Sequence, residues 1–140
     1  MKAQEELEKI LTFDALIECK NEELLRLASI AEKMTATMDG EAVSRTRNLD
    51  PLGDALTRKN LKEKEIEQLK ADHERRVAFY TCIIDNLRKP VFIKILYKRY
   101  FFGKSLRDIA EEEGFCYRNI CYLHGNALQA VENARKANEN

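Results

Sequence analysis

The chain has 140 residues, with 24 basic and 24 acidic side chains balancing to zero net charge. That balance excludes a protein drawn to nucleic acid by bulk charge, and no apolar run approaches the roughly 20 residues of a membrane span. The N-terminus "MKAQEELEKI" is too acidic and too broken for a signal peptide, and the scattered Cys19, Cys82, Cys116 and Cys121 read as reduced thiols of a cytoplasmic protein.

Charge is unevenly spread. From Arg88 onward ten basic residues stand against six acidic ones, about +4, which leaves about −4 for residues 1–87. Gly and Pro are few and clustered, while Leu, Glu, Lys and Ala dominate the remainder. These are helix formers, and no alternating β-branched run reads as a strand. The expected fold class is all-α.

The first helix is predicted from about Ala3 to Met38. Leu7, Ile10, Leu11, Leu16, Ile17, Leu24, Leu25, Leu27, Ile30 and Ala31 recur mostly at spacings of three or four. A seven-residue seam runs through Leu7, Ile10, Ile17, Leu24, Ala28 and Ala31, interrupted by Asp14 and Asn21. Asp39 to Gly53 is the expected loop, carrying Ser44, Arg45, Thr46, Arg47 and Asn48. The second helix is predicted from Asp54, as its cap, to about Arg88. Its seam is Ile66, Leu69, His73, Val77 or Arg76, Tyr80, Ile84 and Leu87. Residues 1–88 thus read as a long, coiled-coil-like helical hairpin. So long an arm with one apolar stripe needs the other arm and a second chain to bury it, so a homodimer through the hairpin is expected.

Residues 89–140 read as a second domain. Pro90 suits a first helical turn, and "PVFIKILYKRYFFG" makes a short helix with Val91, Ile95, Leu96 and Tyr100 inward and Lys94, Lys98 and Arg99 outward. Tyr97, Tyr100, Phe101 and Phe102 read as core and hinge aromatics. Ser105 caps "LRDIAEEEG", with Asp108 three residues on, and Gly114 closes it with a left-handed stop. A last helix is expected from about Tyr117 to Ala137. Leu106, Ile109, Ala110, Gly114, Phe115, Ile120 and Leu123 follow the packing pattern of a helix-turn-helix: Ala110 allows close approach, and Phe115, Ile120 and Leu123 bury the inner face.

On these residues the segment "YKRYFFGKSLRDIAEEEGFCYRNICYLHGNALQAV" resembles region four of the sigma-70-type transcription initiation factors. The match is carried by Leu106, Ile109, Ala110, Gly114, Ile120, Ala127 and Leu128 and covers roughly the last 50 residues. The whole chain also resembles a small family of bacteriophage proteins from Gram-positive hosts, related to the ArpU-type regulators, through Tyr117, Arg118, His124, Gly125, Ala127 and Leu128. The resemblance implies a prophage regulator of transcription, with Tyr117, Arg118, Cys121 and Tyr122 in the base-contacting slots.

In such a motif the start of the second helix meets base edges in the major groove. The expected DNA-binding residues are Lys104, Ser105 and Arg107 near backbone phosphates and Tyr117, Arg118, Asn119 and Tyr122 at the groove. Arg118 suits guanine, and Asn119 or Asn126 suits adenine. Lys94, Lys98 and Arg99 extend the phosphate contacts. Glu111, Glu112 and Glu113 would repel phosphates and are expected to face elsewhere. Cys116, Cys121 and His124, spaced C-x4-C-x2-H, match no standard zinc site. His73 reads as a packed, hydrogen-bonded imidazole. With no phosphate loop, nucleophile elbow or paired carboxylates beside a histidine, neither an enzyme nor a cofactor is expected. The expected partner is double-stranded DNA or RNA polymerase. The competing expectation is a non-enzymatic interaction protein of the phage-assembly or anti-repressor kind, in which the hairpin does the work.

Overall fold

A computed structural model describes residues 1–38 and 51–139. Every regular element among them is helical, in the order α1 (Lys2–Met38), α2 (Pro51–Asp85), α3 (Pro90–Leu96), a π-helical turn (Tyr97–Phe101), α4 (Leu106–Glu113) and α5 (Tyr117–Glu139). No helix among the described residues is long and apolar enough to cross a membrane. The polar loop expected around Arg45 and Arg47 falls within residues 39–50, outside the described residues.

Two boundaries differ from expectation for local reasons. Helix α2 opens at Pro51, whose missing N–H is no loss in a first turn, so Asp54 lies inside that turn instead of capping it. It closes at Asp85, not Arg88, with Asn86 and Leu87 donating to the carbonyls of Ile83 and Ile84 in a tightened final turn.

Contacts divide the chain into two units. One comprises the described residues of Asp14–Asp72. Within it, late α1 and early α2 share a cleft through Leu27, Ile30, Met34, Ala55 and Arg58, and Lys20 Nζ lies 2.6 Å from Glu65 Oε1. Those pairings make the two segments antiparallel. Leu27, Ala31, Ala55 and Ile66 are buried between them, whereas Leu16, Leu25, Leu56 and Leu61 stay exposed. Two helices have only one mutual face, so an apolar residue off that face has nothing in the pair to cover it.

The other unit joins Met1–Phe13 to the chain from His73 onward. Its core packs Ala3, Leu7 and Ile10 of α1 with Tyr80, Ile83 and Ile84 of α2. Phe92, Leu96 and Tyr100 of α3 and the π-turn complete it with Ala127, Leu128 and Val131 of α5. Phe13 and His73 stack with ring centroids 3.6 Å apart. Phe92 is buried, where Val91 was expected inward and is only half-buried. The helix after Pro90 continues into the π-turn, where Phe102 N–H donates to Tyr97 O at 3.0 Å and Lys104 N–H to Lys98 O at 2.9 Å. This widening leaves Phe102 at the surface, 66% exposed, so among the expected core and hinge aromatics it belongs to the hinge and Tyr100 to the core.

A buried ion pair ties the chain's last helix to its first. Glu132 and Arg135, three residues apart on α5, are paired and both buried. Glu132 Oε2 also accepts the Ala3 N–H at 2.9 Å, one of the donors an α-helix start leaves without an internal partner. Arg135, then the Ala3 amide, hold the Glu132 carboxyl down to about 2. Spacing of i and i+3 on a helix ordinarily marks a solvated pair, so nothing in the sequence distinguished this one.

Candidate nucleic-acid interface

Helices α4 and α5 meet through a second, smaller core of Ile95, Ile109, Ala110 and Ile120, with Leu106 and Leu123 packed against it. Local chemistry sets the geometry between them. Ser105 Oγ accepts the Asp108 N–H at 3.1 Å and so starts α4. Gly114, at φ +75°, ends it in the left-handed region, and Phe115 N–H returns to Ala110 O. Cys116 then accepts the Ile120 N–H through its carbonyl, the position just before α5. Phe115 sits in this turn and is 40% exposed, so it does not bury the inner face as its spacing implied. Helical periodicity holds only inside a helix, and Phe115 lies outside both.

The expected site residues fall into three groups. The first is the lysine cluster. Lys104 Nζ is 2.6 Å from Glu112 Oε1, Lys98 Nζ is 2.9 Å from Glu112 and 2.6 Å from Glu113, and Lys94 Nζ is 3.1 Å from Glu113. The carboxylates expected to face elsewhere turn onto the very lysines expected to hold phosphates. Their pairing with Lys104 and Lys98 keeps Glu112 below the usual carboxylate range, and Lys98 and Lys94 do the same for Glu113. Arg99 is turned inward to donate to the Lys104 carbonyl, at 3.3 Å. Three ammoniums against two carboxylates leave this surface with little net charge.

The second group bridges the two helix starts. The Arg107 guanidinium lies over the Tyr117 ring, 4.5 Å from its centroid, in a cation–π contact. A hydrogen bond with the Cys121 side chain, one turn further on, holds the Tyr117 phenol above its ordinary value. Ser105, committed to its cap, is exposed beside them.

The third group is the outer face of α5. Arg118, Asn119 and Tyr122 are exposed, Tyr122 by 68%. At 100° per residue, Arg118, Tyr122, Gly125, Asn126, Gln129 and Asn133 share one stripe, and all six are exposed. Ile120, Ala127, Leu128 and Val131 lie buried on the opposite side. No Asp or Glu occurs between Gly114 and Glu132. Arg118 has no carboxylate partner among the described residues, which leaves its five donors to solvent.

Beneath this face, His124 Nε2 is 2.8 Å from the Tyr100 hydroxyl, and the two rings stack. Burial, reinforced by Arg99 and opposed by Glu8, keeps the imidazole below its ordinary value, so it is neutral at neutral pH. Burial pushes the Tyr100 phenol up to about 12.

No protein-family profile, curated protein or solved structure matches the chain. Among the described residues no three His, Cys, Asp or Glu side chains are grouped to hold a metal ion. Of the residues named from sequence, Arg118, Asn119 and Tyr122 lie together on an open face, Arg107 and Tyr117 pair beside it, and Lys104 is neutralised. The amides at Asn126, Gln129 and Asn133 complete the face. Asn126 was already expected to suit adenine; Gln129, inside the acid-free interval 115–131, and Asn133, just past Glu132, join it only once helical phase is applied to the sequence.

Proposed function

We propose that the chain is a DNA-binding transcriptional regulator, of the prophage type its sequence resembles, that presents α5 to the major groove as the second helix of a helix-turn-helix similar to sigma region four. The observation that carries this reading is the outer face of α5: an unpaired arginine, amides and a tyrosine, without one acidic residue, on a helix whose opposite side is buried. Arginine reads guanine, and asparagine or glutamine reads adenine, by paired hydrogen bonds in the major groove. One such pair supplies about 1–3 kcal/mol of discrimination, against roughly 4–10 kcal/mol between specific and non-specific binding. Two copies reading two half-sites narrow that gap, so the regulator acts as a homodimer paired through its N-terminal hairpin, with RNA polymerase as a further partner.

One observation favours the competing reading, an interaction protein without DNA binding: the Lys94, Lys98 and Lys104 ammoniums already have carboxylate partners. Titration of a fluorescent mixed-sequence duplex by anisotropy, from low to moderate salt, separates the two. A DNA binder loses affinity steeply as salt rises. Absence of binding at every salt concentration rejects the regulator and leaves the interaction protein.

A further inference from the structure

We propose that the duplex contact runs the whole outer face of α5, with Gly125 as its point of closest approach and Arg88 and Lys89 as a second phosphate clamp at the far end. The proposal rests on the duplex-binding reading above and assigns it residues beyond the start of the helix.

Gly125 is the first observation. It lies in the third turn of a 23-residue helix and is exposed. Glycine in a helix interior is less stable than alanine because the unfolded chain has more freedom to lose. Some glycines are kept because a neighbour leaves no room for a Cβ, but a Cβ built at Gly125 meets nothing within 4 Å. No contact inside the described protein repays the glycine. A surface arriving from outside, close to the helix backbone, does. Its neighbours on the stripe indicate the chemistry of that surface. Arg118 and Tyr122 precede it, and Asn126 and Gln129 follow, all capable of donating a hydrogen bond and none negative. Gln129 Nε2 donates to Asn133 Oδ1 at 3.0 Å, which leaves the Asn133 amide N–H groups for an outside acceptor.

The second observation is independent of the glycine. Beside the last turns of α5 lies an open groove of about 640 Å³, bordered by Asn86, Arg88, Lys89 and Asn133 over a floor that includes Phe92. Two cations and two amides border it, and no carboxylate does. Lys89 Nζ stands 5.2 Å over the Phe92 ring, and Arg88 has no carboxylate partner among the described residues. These charges are free in the way the Lys94–Lys98–Lys104 cluster is not. From Arg118 to Asn133 the helix rises about 22 Å at 1.5 Å per residue, while the major groove is about 12 Å wide. A helix entering the groove by its first turns therefore meets the sugar–phosphate wall with its later ones. Gly125 lets the phosphodiester pass close, Asn126 and Gln129 donate to it, and Arg88 and Lys89 hold the next phosphates.

The test uses the full chain, a fluorescent mixed-sequence duplex of about 25 base pairs, and two variants. Gly125→Ala raises the melting temperature by about 2–4 °C and weakens duplex binding severalfold. The pair Arg88→Ala with Lys89→Ala leaves the melting temperature in place and flattens the salt slope by about 2, one for each lost phosphate contact. If the native chain binds duplex and both variants bind with unchanged affinity and slope, the extended contact is wrong and the start of α5 acts alone. If Gly125→Ala instead changes self-association on a sizing column while duplex binding holds, the face belongs to a second copy of the chain, and the proposal falls. If the native chain binds no duplex at any salt, the regulator reading fails first and takes the extension with it.

Discussion

Two surfaces of the same unit carry positive charge, and only one offers it. Lys94, Lys98 and Lys104 form the denser cluster in sequence, yet Glu112 and Glu113 of α4 neutralise them. The face of α5 has a single arginine near its start, yet nothing negative stands on it. A polyanion responds to charge left over after the protein's own pairs are made, since a phosphate must displace a carboxylate already at hydrogen-bond distance. Counting lysines overstates the first surface and understates the second.

Both surfaces depend on the apolar packing beneath them. Ile120 is fully buried where α4 meets α5. Ile120→Ala is expected to lower stability by about 2–5 kcal/mol, read from thermal or urea melts. Ion pairs at or near the surface contribute little beside a fully buried isoleucine, so the lysine–glutamate network is expected to hold α4 less firmly than Ile120 does. A loss below about 1 kcal/mol would mean that the ion pairs, not the apolar contact, position α4.

Next in size is Arg118→Ala. Losing the unpaired guanidinium is expected to weaken binding to the mixed-sequence duplex severalfold and to flatten the salt slope by about 1, with an unchanged melting temperature. Anisotropy on the same duplex checks it, and retained affinity would remove Arg118 from the interface.

What the sequence disclosed was what depends on a few neighbouring residues. The Ser105 cap with Asp108 three residues on, the left-handed Gly114 and the first-turn Pro90 are each fixed by local backbone chemistry, and each stands where it was read. The buried sides of α4 and α5 follow from helical phase alone. The pairing of Lys94 and Lys98 with Glu113 was not legible, because 19 and 15 residues separate the partners and the π-turn between them sets their approach. Phe115 was misread for a related reason: it occupies a turn, where apolar identity no longer reports an inward direction, as the exposed hinge residue Phe102 also shows. Glu132 and Arg135 look like any solvated i, i+3 pair until the first turn of α1 is laid over them.

The double variant Glu112→Gln with Glu113→Gln sharpens the contrast from the other side. It frees three ammoniums without adding a cation. Duplex affinity is expected to rise and the salt slope to steepen by about 2–3, at little change in melting temperature. An unchanged slope would show that this surface faces away from the duplex, paired or not.

Acid separates the surfaces more gently. His124, under the α5 face, has its folded value depressed below 6.5 by burial, so the unfolded chain binds its proton first as pH falls. Its contribution is complete above about pH 6.5 and is lost as pH drops below that. Glu112 and Glu113, also depressed, keep their contributions until pH falls below the ordinary carboxylate value near 4.5. Glu132 then gives way as pH approaches about 2. Melts between pH 7.5 and 5 should therefore report the histidines and not the lysine–glutamate surface, and His124→Gln should remove the α5 share of that slope. A profile that keeps its slope in the variant would assign the loss to another group.

A lysine already neutralised by a carboxylate has little to lose at a phosphate. Lys104→Ala removes a cation that its place at the start of the first motif helix assigns to the phosphate backbone. Lys104 Nζ is held 2.6 Å from Glu112, and Glu112 keeps Lys98 at 2.9 Å once Lys104 is gone. No carboxylate is orphaned, so the variant exposes no new unpaired negative charge, and the apolar contact that holds α4 is untouched. A lysine that contacts phosphate releases counterions and carries about 0.9 of salt slope. A lysine neutralised within the protein carries almost none. Lys104→Ala should therefore change duplex affinity by less than about twofold and leave the slope within a few tenths of the native value. A fall of a full unit would mean that DNA displaces Glu112 from Lys104, and free charge in the unbound chain would then be a poor guide to where this protein meets its partner.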